Sequence, residues 1–143
     1  DFGVDVGPAL RWQTDHGTLN AQWGFDAGSG SKGQSAQLQF VRALIRGPGL
    51  RLNGLVGITW NDRRMNNYYY GVAASEAAPG RPAYTAGAGT QLQAGVNGAW
   101  PAGERGSVLF GLMVTRLGNA QADSPIVETR IQPLAYVGYG WTF

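Results

Sequence analysis

The stretch Ile131-Gln132-Pro133-Leu134-Ala135-Tyr136-Val137-Gly138-Tyr139-Gly140-Trp141-Thr142-Phe143 decides the fold. Its odd positions read Ile, Pro, Ala, Val, Tyr, Trp and Phe, while its even positions are mostly polar or small. A strand sends alternate side chains to opposite faces. One face of this segment is therefore apolar and grows more aromatic toward its carboxyl end. In water such a strand is an aggregation-prone edge. In a bilayer it is a lipid-facing strand that ends in an interfacial aromatic girdle.

The same period of two recurs upstream. Phe2 to Arg11 places Val4, Val6, Leu10 and Trp12 on one parity, and Thr18 to Asp26 does so with Leu19, Ala21, Trp23 and Phe25. Further strands are expected over about Ser35–Ile45, over Leu50–Trp60, from about Ala88 to Trp100, and around Val108–Val114. The breaks at 15–17, 46–49 and 101–105 are short, and those at 27–34, 61–83 and 118–128 are longer. Alternately short and long connections are the pattern of an all-β, antiparallel up-and-down transmembrane barrel, with short turns on the periplasmic side and long loops outside. Trp12, Trp23, Trp60, Trp100, Tyr139, Trp141 and Phe143 are its expected girdle aromatics. A soluble β-sandwich would explain the alternation but not aromatic residues near both strand ends.

The segments number about seven, whereas closed bacterial barrels of this type have an even number. With the last strand ending at the periplasmic rim, the first would begin outside. Residues 1–143 are therefore expected to be one barrel domain that lacks N-terminal strands, the carboxy-terminal part of a larger barrel of ten. The chain begins at Asp1 without an apolar leader, which marks a processed or truncated sequence and says nothing against export.

Composition agrees with a wet interior and a lipid-facing outside. Charged residues make up 14%, against about a quarter in soluble domains. Cysteine is absent, and no apolar run approaches the roughly 20 residues of a membrane helix. The net charge of +2 comes from scattered basic residues, with only Arg63 and Arg64 adjacent. No basic stripe forms, which argues against nucleic acid.

Candidates for chemistry are few. His16 is the single histidine and sits in a short turn beside Asp15, where a solvated turn residue is the simpler reading than a base and its orienter. No histidine lies near Ser107 or Ser124, which disfavours a lipid-modifying hydrolase. Asp62, Glu76, Asp123 and Glu128 fall on outer loops but lack the spacing of a dedicated oxygen cage, so neither metal nor cofactor is expected. The inward positions read Asn20, Gln22, Gln37, Gln39, Asn53, Gly57, Thr59, Gln91, Gln93, Asn97, Thr115 and Gln132, with Leu55, Met113, Leu134 and Tyr136, and charge only at Arg42, Arg51 and Arg130. Ion-selective pores line themselves with rings of charge; this amide-rich lining disfavours a general porin and leaves a narrow solute path open. Strand parity puts Arg42 with Phe40 on the lipid face, which costs about 2–4 kcal/mol at the midplane. A β-bulge at Phe40-Val41 would turn Arg42 inward and is the expected remedy. Three consecutive tyrosines, Tyr68, Tyr69 and Tyr70, cannot all face lipid on a strand and suit either a girdle with a folded-over loop or a binding surface.

With these segments placed, the chain resembles the MipA/OmpV family of outer-membrane proteins. The resemblance rests first on Trp60, Asp62, Met65, Tyr69, Tyr70, Gly71 and Val72. It continues in Arg81, Pro82, Ala83, Tyr84, Ala86, Gly87, Ala88 and Gly89, and then in Thr115-Arg116-Leu117 with Ala122-Asp123-Ser124-Pro125-Ile126-Val127. Arg81 departs from the apolar residue usual before the proline, and the final outer loop is shorter than usual. The resemblance implies a cell outer membrane location and a non-enzymatic scaffold without catalytic residues. It implies partners in murein synthesis, a lytic transglycosylase (MltA) and a penicillin-binding protein, besides outer-membrane lipid and lipopolysaccharide. The competing readings are a narrow solute channel, a lipid-modifying enzyme and an accessory subunit of a larger envelope complex. Asp62, Arg63, Arg64, Tyr68, Tyr69, Tyr70, Asp123 and Ser124 are the candidate interaction loops.

Overall fold

Alternating side chains and short polar turns produce one antiparallel sheet. The computed structural model describes residues 4–141. The strands are β1 (Asp5–Val6), β2 (Ala9–Thr14), β3 (Gly17–Asp26), β4 (Gln34–Arg46), β5 (Arg51–Asn61), β6 (Gly89–Pro101), β7 (Gly106–Leu117) and β8 (Ile131–Trp141). Two helices, α1 (Arg63–Tyr70) and α2 (Asn119–Ala122), interrupt the long loops. Each strand from β3 onward pairs with the next in sequence, the up-and-down order expected of the barrel.

β1 and β2 are one strand in two pieces. Asp5 pairs with Asp26 and Val6 with Phe25, and Ala9–Thr14 continues the same register along β3 as far as Gly17. The interruption falls at Pro8, which has no N–H for a ladder bond, although its carbonyl still accepts from Trp23 N–H at 3.0 Å. Proline is tolerated there because the strand lies at the edge of the sheet. The ladder therefore has seven rows, matching the count from alternation. Among the described residues the row of β1 and β2 and the strand β8 form its two edges.

The pairing registers sort the two faces. Leu19, Phe40, Val56, Ala94, Val114 and Pro133 lie side by side across the sheet, as do Ala21, Leu38, Ile58 and Leu92. The opposite face carries Gln22, Gln37, Thr59 and Gln91 in one row, with Asn20, Gln39, Gly57, Gln93, Thr115 and Gln132 in the next. Only lipid makes the first face favourable, since it leaves large apolar side chains such as Val137 (77% accessible) uncovered by protein. The buried apolar residues Met65, Val72, Ala86 and Leu117 are not in mid-sheet but in or under the long loops.

The bulge expected at Phe40-Val41 is not there. Pairing stays regular through Phe40–Val56, Val41–Leu55, Arg42–Gly54 and Ala43–Asn53, and the register slips only between Ala43 and Ile45. Leu44 is the extra residue, and its side chain leans over Gly54. Arg42 thus shares the apolar face with Phe40 and Val56, where it lines an apolar groove, and is not a lumen residue. Its position four residues before the end of β4 allows the long side chain to reach toward the nearer interface. Arg130 is also not in the lumen: its guanidinium donates to Asn119 Oδ1 at 2.6 Å within the last long loop.

Aromatic rings fill the gaps left by glycines. Phe110 lies opposite Gly98 on the lipid face, where a Cβ at Gly98 would come within 2.6 Å of its ring. Tyr136 lies opposite Gly111 on the inner face and occupies the space that a side chain there would need.

Candidate functional site

The three long loops, 27–33, 62–88 and 118–130, leave the same end of the sheet and fold together into a cap. Its centre is α1, which was not expected within an all-β chain. Asp62 supplies the start: its Oδ1 accepts from Met65 N–H at 2.8 Å, the usual N-cap arrangement. The helix ends where Gly71 N–H returns to the Asn67 carbonyl at 2.9 Å. Wound into a helix, the three tyrosines no longer alternate; Tyr68 and Tyr69 meet edge to face with centroids 5.0 Å apart.

Asn66 is fully buried and ties the loops together. Its amide nitrogen donates to the Gly87 carbonyl at 2.8 Å, and its oxygen accepts from Gln121 Nε2 at 3.1 Å. Asn67 Oδ1 accepts from Ala86 N–H at 3.1 Å. Across to the last loop, Tyr84 donates its hydroxyl to the Ala120 carbonyl at 3.1 Å, and the Ser124 hydroxyl donates to the Tyr70 carbonyl at 2.5 Å. The first loop joins through Asp26, which accepts from Gly28 N–H at 2.9 Å and from the Ser31 hydroxyl at 3.0 Å; that hydroxyl also lies 3.3 Å from the Met65 sulfur. A hydrogen bond of this kind contributes a net ~0.5–1.5 kcal/mol, and a buried group left unpaired costs ~1–3 kcal/mol. Several such ties between segments far apart in sequence make the cap one unit.

These placements give each candidate loop residue a position. Asp62 caps α1, Ser124 is buried as a cross-loop tie, and Asp123 forms an exposed ion pair with Arg130 at 3.4 Å. Arg63 and Arg64 open α1 and are exposed, as are Tyr68 and Tyr69. Tyr70 is half-buried, and burial, followed by the neighbouring Tyr69, raises its phenol above the usual 10.0. Asn66, Asn67 and Gln121, which hold the cap, carry no sequence signal, because nothing local marks a polar residue whose partner lies far along the chain; Tyr84 enters the sequence reading only through the family resemblance, not as a cross-loop tie.

A chain with this sheet and this cap can be set beside known proteins. The family model described as MltA-interacting protein MipA matches residues 1–143. The chain belongs to the MipA family. Outer membrane protein Omp26La of Vibrio anguillarum is 30% identical over 132 residues, covering 92% of this chain and 49% of that protein. Outer membrane protein OmpV of Vibrio cholerae serotype O1 is 30% identical over 129 residues, covering 90% of this chain and 50% of that protein. The chain thus spans about half the length of both relatives. No solved structure matches it. Family and relatives place this MipA-family chain in the outer membrane, with the apolar face of the sheet toward lipid.

The girdle candidates fall accordingly. Trp23 and Trp60 stand at the cap end of the lipid face with ring centroids 6.2 Å apart. Trp12 and Trp100 are exposed near the short turns, together with Tyr139 and Trp141. Phe143 lies outside the described residues. On the inner face the side chains change character with depth. Below the amide rows comes an apolar band of Val41, Leu55, Met113 and Leu134, then Asn53 donating to Asn97 at 3.1 Å beside the Tyr136–Gly111 pair.

Proposed function

We propose that this chain is part of a non-enzymatic outer-membrane barrel that acts as an interaction protein, linking a lytic transglycosylase and a penicillin-binding protein in murein turnover. The observation that carries the reading is the hydrogen-bond network that ties the three long loops into one cap. The long outer loops are spent on holding one another. The family description names MltA as a binding partner, and that name is the ground for the murein part of the proposal. A periplasmic partner would meet the rim formed by the short turns at Asp15-His16, Gly47–Leu50 and Ala102–Arg105. Each turn is small against the roughly 800 Å² per partner of a stable interface, so the rim must be used as a whole.

The barrel reading adds a second element. A spanning sheet cannot leave backbone edges open to hydrocarbon, and β2 and β8 are such edges. Further strands of the same protein, three in a barrel of ten, would pair with both.

Photo-crosslinking amino acids at Glu104, on the turn rim, and at Tyr68, on the cap, test the proposal in intact cells. Crosslinks from Glu104 to a lytic transglycosylase or a penicillin-binding protein support it. Protein crosslinks from Tyr68 alone would retain an interaction role and remove the murein link. Crosslinks to lipid only, from both sites, would remove the interaction role. Single-channel recordings address the competing solute path, which the amide rows favour and the apolar band opposes.

A further inference from the structure

Directly beneath α1, the inner face of the sheet holds a cavity of about 440 Å³, within the ~300–1,000 Å³ of ordinary small-ligand sites. Its wall is made mainly of neutral amides and hydroxyls. Gln22, Gln37, Thr59 and Gln91 stand in one row across four strands, with Gln93 in the next. Thr59 fixes part of this wall, because its hydroxyl oxygen accepts from Gln37 Nε2 at 3.4 Å and from Gln93 Nε2 at 3.3 Å. The side-chain amides of Gln22 and Gln91 have no protein partner among the described residues, and both residues line the same space. Tyr69 and Tyr70 of α1 close the cavity from the cap side. Among the described residues no lysine or arginine lines it, and the one charged lining residue is Asp5.

We propose that this vestibule binds an uncharged saccharide. Each primary amide offers a donor and an acceptor side by side, which suits the paired hydroxyls of a sugar ring. A tyrosine ring offers an apolar face to the C–H side of that ring and a hydroxyl at its rim. Phosphate and carboxylate ligands are recognised by arginine or lysine, which this wall lacks, and Asp5 repels them. Recognition weakens at the Val41–Leu55–Met113–Leu134 band, where hydrogen-bonding side chains remain only at the β2–β3 margin, in Gln13 and Thr18, among the described residues. The site is therefore a pocket at the cap end of the lumen, held between the amide rows and α1. It stands independently of the murein reading, since it uses the opposite end of the sheet.

The test is ligand-observed saturation-transfer NMR on the refolded protein in a polyoxyethylene detergent, whose headgroup carries no sugar. Maltotriose and N,N′-diacetylchitobiose are the neutral probes, and glucose 6-phosphate is the anionic one. Saturable binding of a neutral probe is expected, with no binding of glucose 6-phosphate. Gln22→Leu combined with Gln91→Leu should weaken it at least tenfold, as should Tyr69→Ala, whereas Tyr69→Phe should keep the stacking and most of the affinity. Tyr69 is 61% exposed, so its replacement leaves folding intact and carries the test if the double variant fails to fold. The proposal is overturned if neither neutral probe binds saturably, if glucose 6-phosphate binds equally well, or if Tyr69→Ala leaves affinity unchanged.

Discussion

The ring of Tyr136 on β8 lies across Gly111 on β7, directly opposite it, in the space a side chain at position 111 would take. The pair joins the edge strand to the sheet on the inner face. Ring and glycine are mutually dependent: the glycine makes the slot, and the ring covers backbone that would otherwise face the lumen. Gly111→Val should expel the ring and cost about 1–3 kcal/mol, as overpacking does. Urea unfolding from lipid vesicles, followed by tryptophan fluorescence, reads the shift. An unchanged midpoint would mean that the ring moves aside freely and holds nothing.

Asn66 gives the corresponding prediction for the cap. Asn66→Ala removes the bonds to Gly87 and Gln121 together; Gly87 is exposed and its carbonyl can turn to water, whereas the fully buried Gln121 amide loses its partner. A penalty of about 1–3 kcal/mol for that unpaired group is expected. It should fall mainly on the cap, because Asn66 reaches the sheet at its cap-side end, through a long 3.5 Å contact with the Asn61 carbonyl. Trypsin added to intact cells should then cut at Arg130 and at Arg63-Arg64 much faster, with the membrane-spanning fragment still resistant. Equal protease resistance of both proteins would show that the remaining ties suffice.

How far the sequence foretold these features depends on the range over which each is encoded. Seven strand rows, the two faces and nearly all inward positions were legible, because period-two alternation is written locally in residues such as Gln91, Leu92 and Gln93. The split at Pro8 was legible in principle from the missing N–H. Helix α1 was hidden: Arg-Arg-Met-Asn-Asn-Tyr-Tyr-Tyr has no clean apolar face, and only Asp62, an N-cap residue three positions before Met65, signals it. The bulge lies at Leu44 and not at Phe40-Val41 because it serves packing over Gly54 and does not turn Arg42 away from lipid. The cap was illegible, since Asn66 and Gln121 are neighbours only once both loops have folded.

The cost of Arg42 on the lipid face can be measured. Its neighbours on the lipid face are Phe40, Leu44, Val56 and Val96. A lipid-facing arginine costs about 2–4 kcal/mol at the midplane and 0–1 kcal/mol near the interfaces. Because Arg42 stands between these depths, Arg42→Leu should stabilise the barrel by about 1 kcal/mol in urea titrations. Destabilisation of similar size would show that the guanidinium is held by an anionic headgroup.

Tyr70 predicts an alkaline response of the cap. Burial raises its phenol above 10.0 in the folded protein, so above that pH the unfolded cap releases a proton that the folded cap retains. Stability must then fall as pH rises from about 10 toward the raised value, and stay level below it. Tyr70→Phe should flatten that fall while leaving neutral-pH protease resistance of the cap unchanged. Phenolate absorbance titration gives the direct check, and a Tyr70 that ionises like an exposed phenol would refute the assignment.

The edges β2 and β8 supply the last prediction. If further strands of the same protein close the sheet, the amides of β8 that point away from β7 are bonded in the whole protein. Hydrogen exchange along Leu134–Tyr139 should then be slow at every residue in the full-length protein. In residues 1–143 alone it should be slow and fast at alternate residues, because an antiparallel strand directs successive N–H groups to opposite sides. Alternating exchange in the full-length protein would show that β8 remains an edge, and the barrel would have to be closed by another chain.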